Sequence, residues 1–173
     1  IFCRAWYSPR WAATIFPTKL VIPKRARGVF QRPRLLDYLH ENLGRKLMLV
    51  TAPAGYGKTT LLVDFASDVA LPVCWYTLDE GDRDPASFLS YLVAAFRQQF
   101  PQFGERSQPL VEHGAPSAHA AAAALVADVV DALPDYFVLG LDEWHLVSEE
   151  TPIIELFDQL MRYRPEQSPG HLA

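Results

Sequence analysis

A chain of 173 residues is long enough for one domain with a real hydrophobic core. Half of its residues are apolar and 21% are charged, which excludes a disordered chain; a net charge of −4 leaves no general electrostatic footprint for nucleic acid. Cys3 and Cys74 are too few for a disulfide framework, and no run of 18 apolar residues is present to cross a membrane as a helix. The expected compartment is cytoplasmic.

The chain opens with "IFCRAWYSPRWAATIFP", aromatic and basic residues cut by Pro9 and Pro17. It lacks the continuous apolar centre of a signal peptide. Residues 1–17 are expected to be an unstructured or artefactual leader, and 18–173 a single domain. Leu35, Leu36, Leu39 and Leu43 then fall at helical spacing, with Gly44 as the stop. "KLMLVTA" predicts a short, fully buried strand, and "KTTLLVDFA" an amphipathic helix after it. "VCWYTL" predicts a second strand, with Cys74 and Trp75 as core residues.

The acidic loop "DEGDRDPA" follows, with Asp79, Asp82 and Asp84 expected on a solvated turn and Pro85 suited to a first helical turn. Phe88, Leu89, Leu92, Phe96 and Phe100 share one side of the next helix, which Pro101 ends. Residues 104–116 are expected to be loop. The alanine-rich stretch 117–133 is a strong helix, stopped by Pro134. "YFVLGLDEWH" predicts a third buried strand ending in two acids, and "PIIELFDQLMRYR" a last helix. Strands alternating with helices, each strand a continuous apolar run, predict an α/β domain with a parallel sheet flanked by helices. Gly140 sits in mid-strand, where it weakens packing unless something approaches closely. His113, His119 and His171 have no Cys or His company at metal-ligand spacing, so no zinc site is expected.

The first predicted strand and the helix after it bracket the most informative residues. Ala52-Pro53-Ala54-Gly55-Tyr56-Gly57-Lys58-Thr59 fits the eight-residue Walker A pattern with Ala in first place. Gly55 and Gly57 permit backbone angles that turn successive N–H groups inward as an anion nest, and the helix dipole points at the same place. Lys58 would reach the β- and γ-phosphates, the Thr59 hydroxyl would hold Mg²⁺, and Thr60 would cap the nest near the α-phosphate. Such a loop needs an acid at the end of a neighbouring strand. "FVLGLDE" supplies Asp142 to accept from a metal-bound water and Glu143 as general base for the attacking water. The cofactors expected are therefore ATP and Mg²⁺. A strand inserted between the two motifs points to the P-loop ATPases with an added strand; a kinase-like enzyme is the alternative.

"TKLVIPKRARGVFQRPRLLDYL", "LVTAPAGYGKTTLLVDFA", "PVCWYTLDEGDRDPASFLSYLVAAF" and "FVLGLDEWHLV" resemble the ATPase domain of the MalT-like large LuxR-type transcriptional regulators, in the STAND group of P-loop ATPases. The resemblance runs from Thr18 to Arg164. It implies that ATP acts as a switch, with self-association in the ATP-bound form and slow hydrolysis as the reset. It implies phosphate and metal roles for Gly55, Gly57, Lys58, Thr59 and Thr60, with Asp142 and Glu143 as the Walker B acids. The family usually has Asp at the position of Glu143, which implies a somewhat different hydrolysis here. Phe30 to Arg34 resembles the strip near the adenine in related ATPases.

The resemblance also implies a further strand between the two Walker strands, inducer-binding repeats and a helix-turn-helix domain, none of which "GHLA" leaves room for. The chain is thus expected to be an N-terminal fragment, C-terminally truncated within its P-loop NTPase domain, and to reach DNA only through a domain outside it. Marginal stability and weak or absent ATPase activity are expected of the fragment. The alternatives are a free-standing P-loop enzyme (a phosphotransferase or an ATP-driven machine) and an inactive remnant.

Overall fold

In the computed structural model, residues 15–25, 28, 30–113, 117–133 and 136–163 are described. Residues 1–14 of the expected leader lie outside them, as do Pro134 and residues 164–173. Among the described residues six α-helices are formed: α1 Pro33–Glu41, α2 Lys58–Asp68, α3 Pro85–Gln99, α4 Gln108–His113, α5 Ala118–Ala132 and α6 Thr151–Tyr163. The strands are β1 Val73–Thr77 and β2 Val138–Asp142, paired in parallel with Val73 opposite Val138 and Thr77 opposite Asp142. Parallel strands need a long crossover, and α3 to α5 supply it. The fold is α/β, as the alternation of the sequence dictates.

Two cores cover the sheet. The larger gathers Cys74 and Tyr76 of β1 with α3, α5 and α6 through Phe88, Leu92, Phe96, Leu125, Ile153 and Leu156. The smaller joins Leu36 and Leu39 of α1 to Leu61 and Phe65 of α2, with Met48, Val50 and Val138 packed against them. Helices therefore lie on both faces. Burial pushes the Cys74 thiol up to about 12, so it is a small core residue and not a nucleophile.

The predicted strand over "KLMLVTA" is absent. Leu47 and Leu49 are 56% and 71% exposed, while Met48 and Val50 turn toward the smaller core. That two-residue alternation is the period of an extended chain. A strand also needs a ladder partner, and among the described residues no backbone hydrogen bond reaches this stretch. For the same reason β2 is only half-buried along most of its length, although full burial was expected. Its ladder runs along one edge to β1, and no strand lies on the other among the described residues.

Three smaller departures have local causes. The first helix ends at Glu41, short of Gly44, because the Asn42 amide donates to the Tyr38 carbonyl at 2.8 Å and its N–H to Leu39. The expected loop 104–116 contains α4, organised by Asp128 from α5. The buried Asp128 carboxylate accepts from the N–H groups of Arg106 and Ser107, both at 2.9 Å, and so caps α4 from a distant helix. The acidic loop is not a solvated turn, since Asp82 is fully buried there.

Candidate functional site

The glycine-rich turn has the backbone its sequence requires. Gly55 has φ +80° and Gly57 φ +73°, both in the left-handed region that glycine adopts at little steric cost. Gly57 is the N-cap of α2, so Lys58, Thr59 and Thr60 form the first helical turn and leave their N–H groups directed at the loop. The Lys58 ammonium donates to the carbonyls of Ala52 at 2.9 Å and Pro53 at 3.3 Å, curling over its own loop. Ala54 and Tyr56 complete the turn, whose Tyr56 N–H lies 3.4 Å from the Pro53 carbonyl.

The two acids of β2 are placed differently. Asp142 is buried at the end of the strand, and its Oδ1 accepts from the Thr59 hydroxyl at 3.1 Å. These residues are 83 apart in sequence and meet because β2 ends beside the start of α2. Glu143 follows in a left-handed conformation, φ 59° and ψ 30°, which a residue with a Cβ adopts only at a cost. Its carboxylate pairs with His145 Nδ1 at 3.2 Å, and its N–H donates back to Asp142. Asp142 and Thr59 are thus brought together, whereas Glu143 is turned toward His145.

A cavity of about 570 Å³ opens beside the loop, lined by Arg32, Tyr38, Arg45, Tyr56 and Lys58 among others. Its other wall is the extended stretch Leu47–Ala52. Arg32, within the stretch Phe30 to Arg34 that resembles the strip near the adenine, donates from Nη2 to the Tyr56 carbonyl at 2.7 Å.

The acidic loop lies elsewhere and has a structural role. Asp79 and Asp82 form a reciprocal capping box, and Asp84 caps α3 by accepting from the Ser87 N–H at 2.9 Å, with Pro85 in the first turn as expected. Lys19 reaches Asp79 and Asp82 at 2.8 Å each and lies 4.3 Å from the centre of the Tyr91 ring. Burial alone would lower Lys19, but the bonds and charges of the two aspartates outweigh it, and its pKa is raised. The Lys19 hydrogen bond chiefly holds Asp79 below the usual carboxylate range. Sequence spacing gave no sign of this anchor, because Lys19 and Asp82 are 63 residues apart.

No family model matches the chain. It is 33% identical over 158 residues to the HTH-type transcriptional regulator MalT of Vibrio cholerae serotype O1, an alignment covering 91% of this chain. The MalT regulators of Cronobacter sakazakii and Serratia proteamaculans are each 34% identical, over 92% and 88% of the chain. In each case the chain spans about a sixth (17%) of the relative's length. Over about nine-tenths of its length, then, this chain is similar to one stretch of the much larger HTH-type transcriptional regulators named MalT.

Proposed function

We propose that this chain is the nucleotide-binding module of a signal-responsive transcriptional regulator, an ATP switch with slow hydrolysis. The observation that carries the reading is the Thr59 to Asp142 hydrogen bond, which joins the phosphate-loop hydroxyl to the strand-end acid at 3.1 Å. Two oxygen ligands at the mouth of a left-handed glycine turn suit a hard divalent cation. Thr59 and Asp142 would hold Mg²⁺, which when bound offsets the charge of the β- and γ-phosphates.

The residues Ala52 to Thr60 would cradle the phosphates through backbone N–H groups and the α2 dipole. Lys58 would exchange its two carbonyl partners for phosphate oxygens, a stronger charge-assisted bond. Glu143 would act as general base once released from His145. DNA contact and ATP-dependent self-association would belong to the whole regulator, with DNA reached through a domain outside this chain.

Thermal melting with and without Mg-ATP tests the reading. Ligand at a hundredfold excess over Kd stabilises the folded state by roughly 2.7 kcal/mol. The parent chain should show such a rise and Lys58→Ala should not. An equal rise in both, or none in either, overturns it.

A further inference from the structure

The orientation of one peptide in the phosphate loop is set from outside the loop. The peptide joining Tyr56 to Gly57 is trans, so its carbonyl and its N–H point to opposite sides. Its carbonyl accepts from Arg32 Nη2 at 2.7 Å. The same nitrogen lies 3.1 Å from the point a Cβ on Gly57 would occupy, so the guanidinium rests directly against the turn.

Arg32 is itself fixed. It is the N-cap of α1, its carbonyl accepting from Leu35 and Leu36 at 2.9 and 3.1 Å, and Pro33 restricts its backbone. The segment ahead of it is tied to α2 as well, through Arg25 on the buried carboxylate of Asp64. The stretch before α1 therefore grips both the loop and the helix that the loop caps.

We propose that Arg32 is a positioning residue that holds the Tyr56 carbonyl away from the anion nest and so turns the Gly57 N–H into it. The proposal rests on the nucleotide-binding reading for its consequence, but not for its geometry. Arg32 acts through the peptide and not on the γ-phosphate, so its loss weakens every nucleotide that places a phosphate in the nest.

Two measurements on the 173-residue chain and its Arg32→Ala and Arg32→Lys variants test this. The first is the residual dipolar coupling of the Gly57 N–H without nucleotide, which reads the peptide's orientation directly. It should change in Arg32→Ala and lie nearer the parent in Arg32→Lys. The second is the affinity for Mg-ATP and Mg-ADP. Losing a charged hydrogen bond should weaken both by a similar factor, about tenfold, with partial recovery in Arg32→Lys.

An unchanged Gly57 coupling in Arg32→Ala overturns the proposal whatever the affinities do. A loss confined to ATP also overturns it, by showing direct contact with the γ-phosphate. A parent that binds neither nucleotide defeats the nucleotide-binding reading, while the Gly57 coupling still decides the peptide's orientation. If Arg32→Ala fails to melt cooperatively, Arg32→Met, which keeps the apolar stem but has no donor for the Tyr56 carbonyl, takes its place, and an unchanged Gly57 coupling in it overturns the proposal.

Discussion

Single residues carry strain or close contact at three places. Glu143 sits in the left-handed region at a cost on the order of 1–3 kcal/mol. Glu143→Gly should relieve part of that and raise Tm while lowering ATP turnover; a lower Tm would mean the side chain stabilises more than the backbone suffers. Gly140 faces Trp75 across the sheet, and an added Cβ would lie 3.0 Å from the indole. Trp75 is 2% exposed and its Nε1 is bonded to Thr77, so the ring has little freedom to yield. Gly140→Ala should cost about 1–3 kcal/mol by overpacking, read from denaturant unfolding. The Lys19 anchor gives a pH signature. The lowered pKa of Asp79 contributes stability above its ordinary value of 3.8 that is lost as pH falls below it. The raised pKa of Lys19 contributes stability below 10.5 that is lost as pH climbs through the folded value. Both flanks should flatten in Lys19→Met, as seen in Tm against pH.

Elements are joined by buried carboxylates more than their own sequences suggest. Asp82 has no exposed surface and holds the 3-10 turn Pro17–Leu20 to the start of α3 through Lys19. Removing Lys19 would leave that charge buried and uncompensated, an effect of about 3–5 kcal/mol, whereas Lys19→Met with Asp82→Asn should cost less than the sum of the two. A double-mutant cycle that proves additive would show that the anchor does not couple them. Asp128 does the same for α4, which has six residues and no buried side chain of its own. A helix that short does not persist on propensity alone. Asp128→Ala should abolish protection of the α4 amides in hydrogen exchange while leaving those of α3 near the parent.

At the scale of the molecule, the sheet is narrow and one flank is apolar. Leu47 and Leu49 are exposed beside the cavity, and β2 offers an unpaired edge among the described residues. Unpaired edges and exposed leucines template association between copies. Leu47→Lys with Leu49→Lys should reduce self-association in sedimentation and change unfolding free energy by no more than about 0.5 kcal/mol per site, the range for surface positions. Self-association that survives both lysines would place the contact elsewhere. Among the described residues no helix is long and apolar enough to cross a membrane.

Local sequence is enough for the α/β class, the extents of α3, α5 and α6 to within a few residues, and the left-handed glycines of the loop. Those features follow from local periodicity, capping residues and the conformational freedom of Gly55 and Gly57. The expectation that Gly140 needs a close neighbour was also legible, though not that the neighbour is Trp75. Where one element needs another is legible only in the folded molecule. Leu47–Val50 has a strand's alternation and, among the described residues, no partner, which an apolar run cannot reveal. Asp82 reads as a surface acid until Lys19 arrives from 63 residues earlier in the chain. Arg32 reads as a helix-start residue until its guanidinium meets the Tyr56 carbonyl. Periodicity reports which face of an element is apolar; ladder pairing, buried charge pairs and loop orientation depend on distances between residues far apart in sequence, and the fold alone sets those.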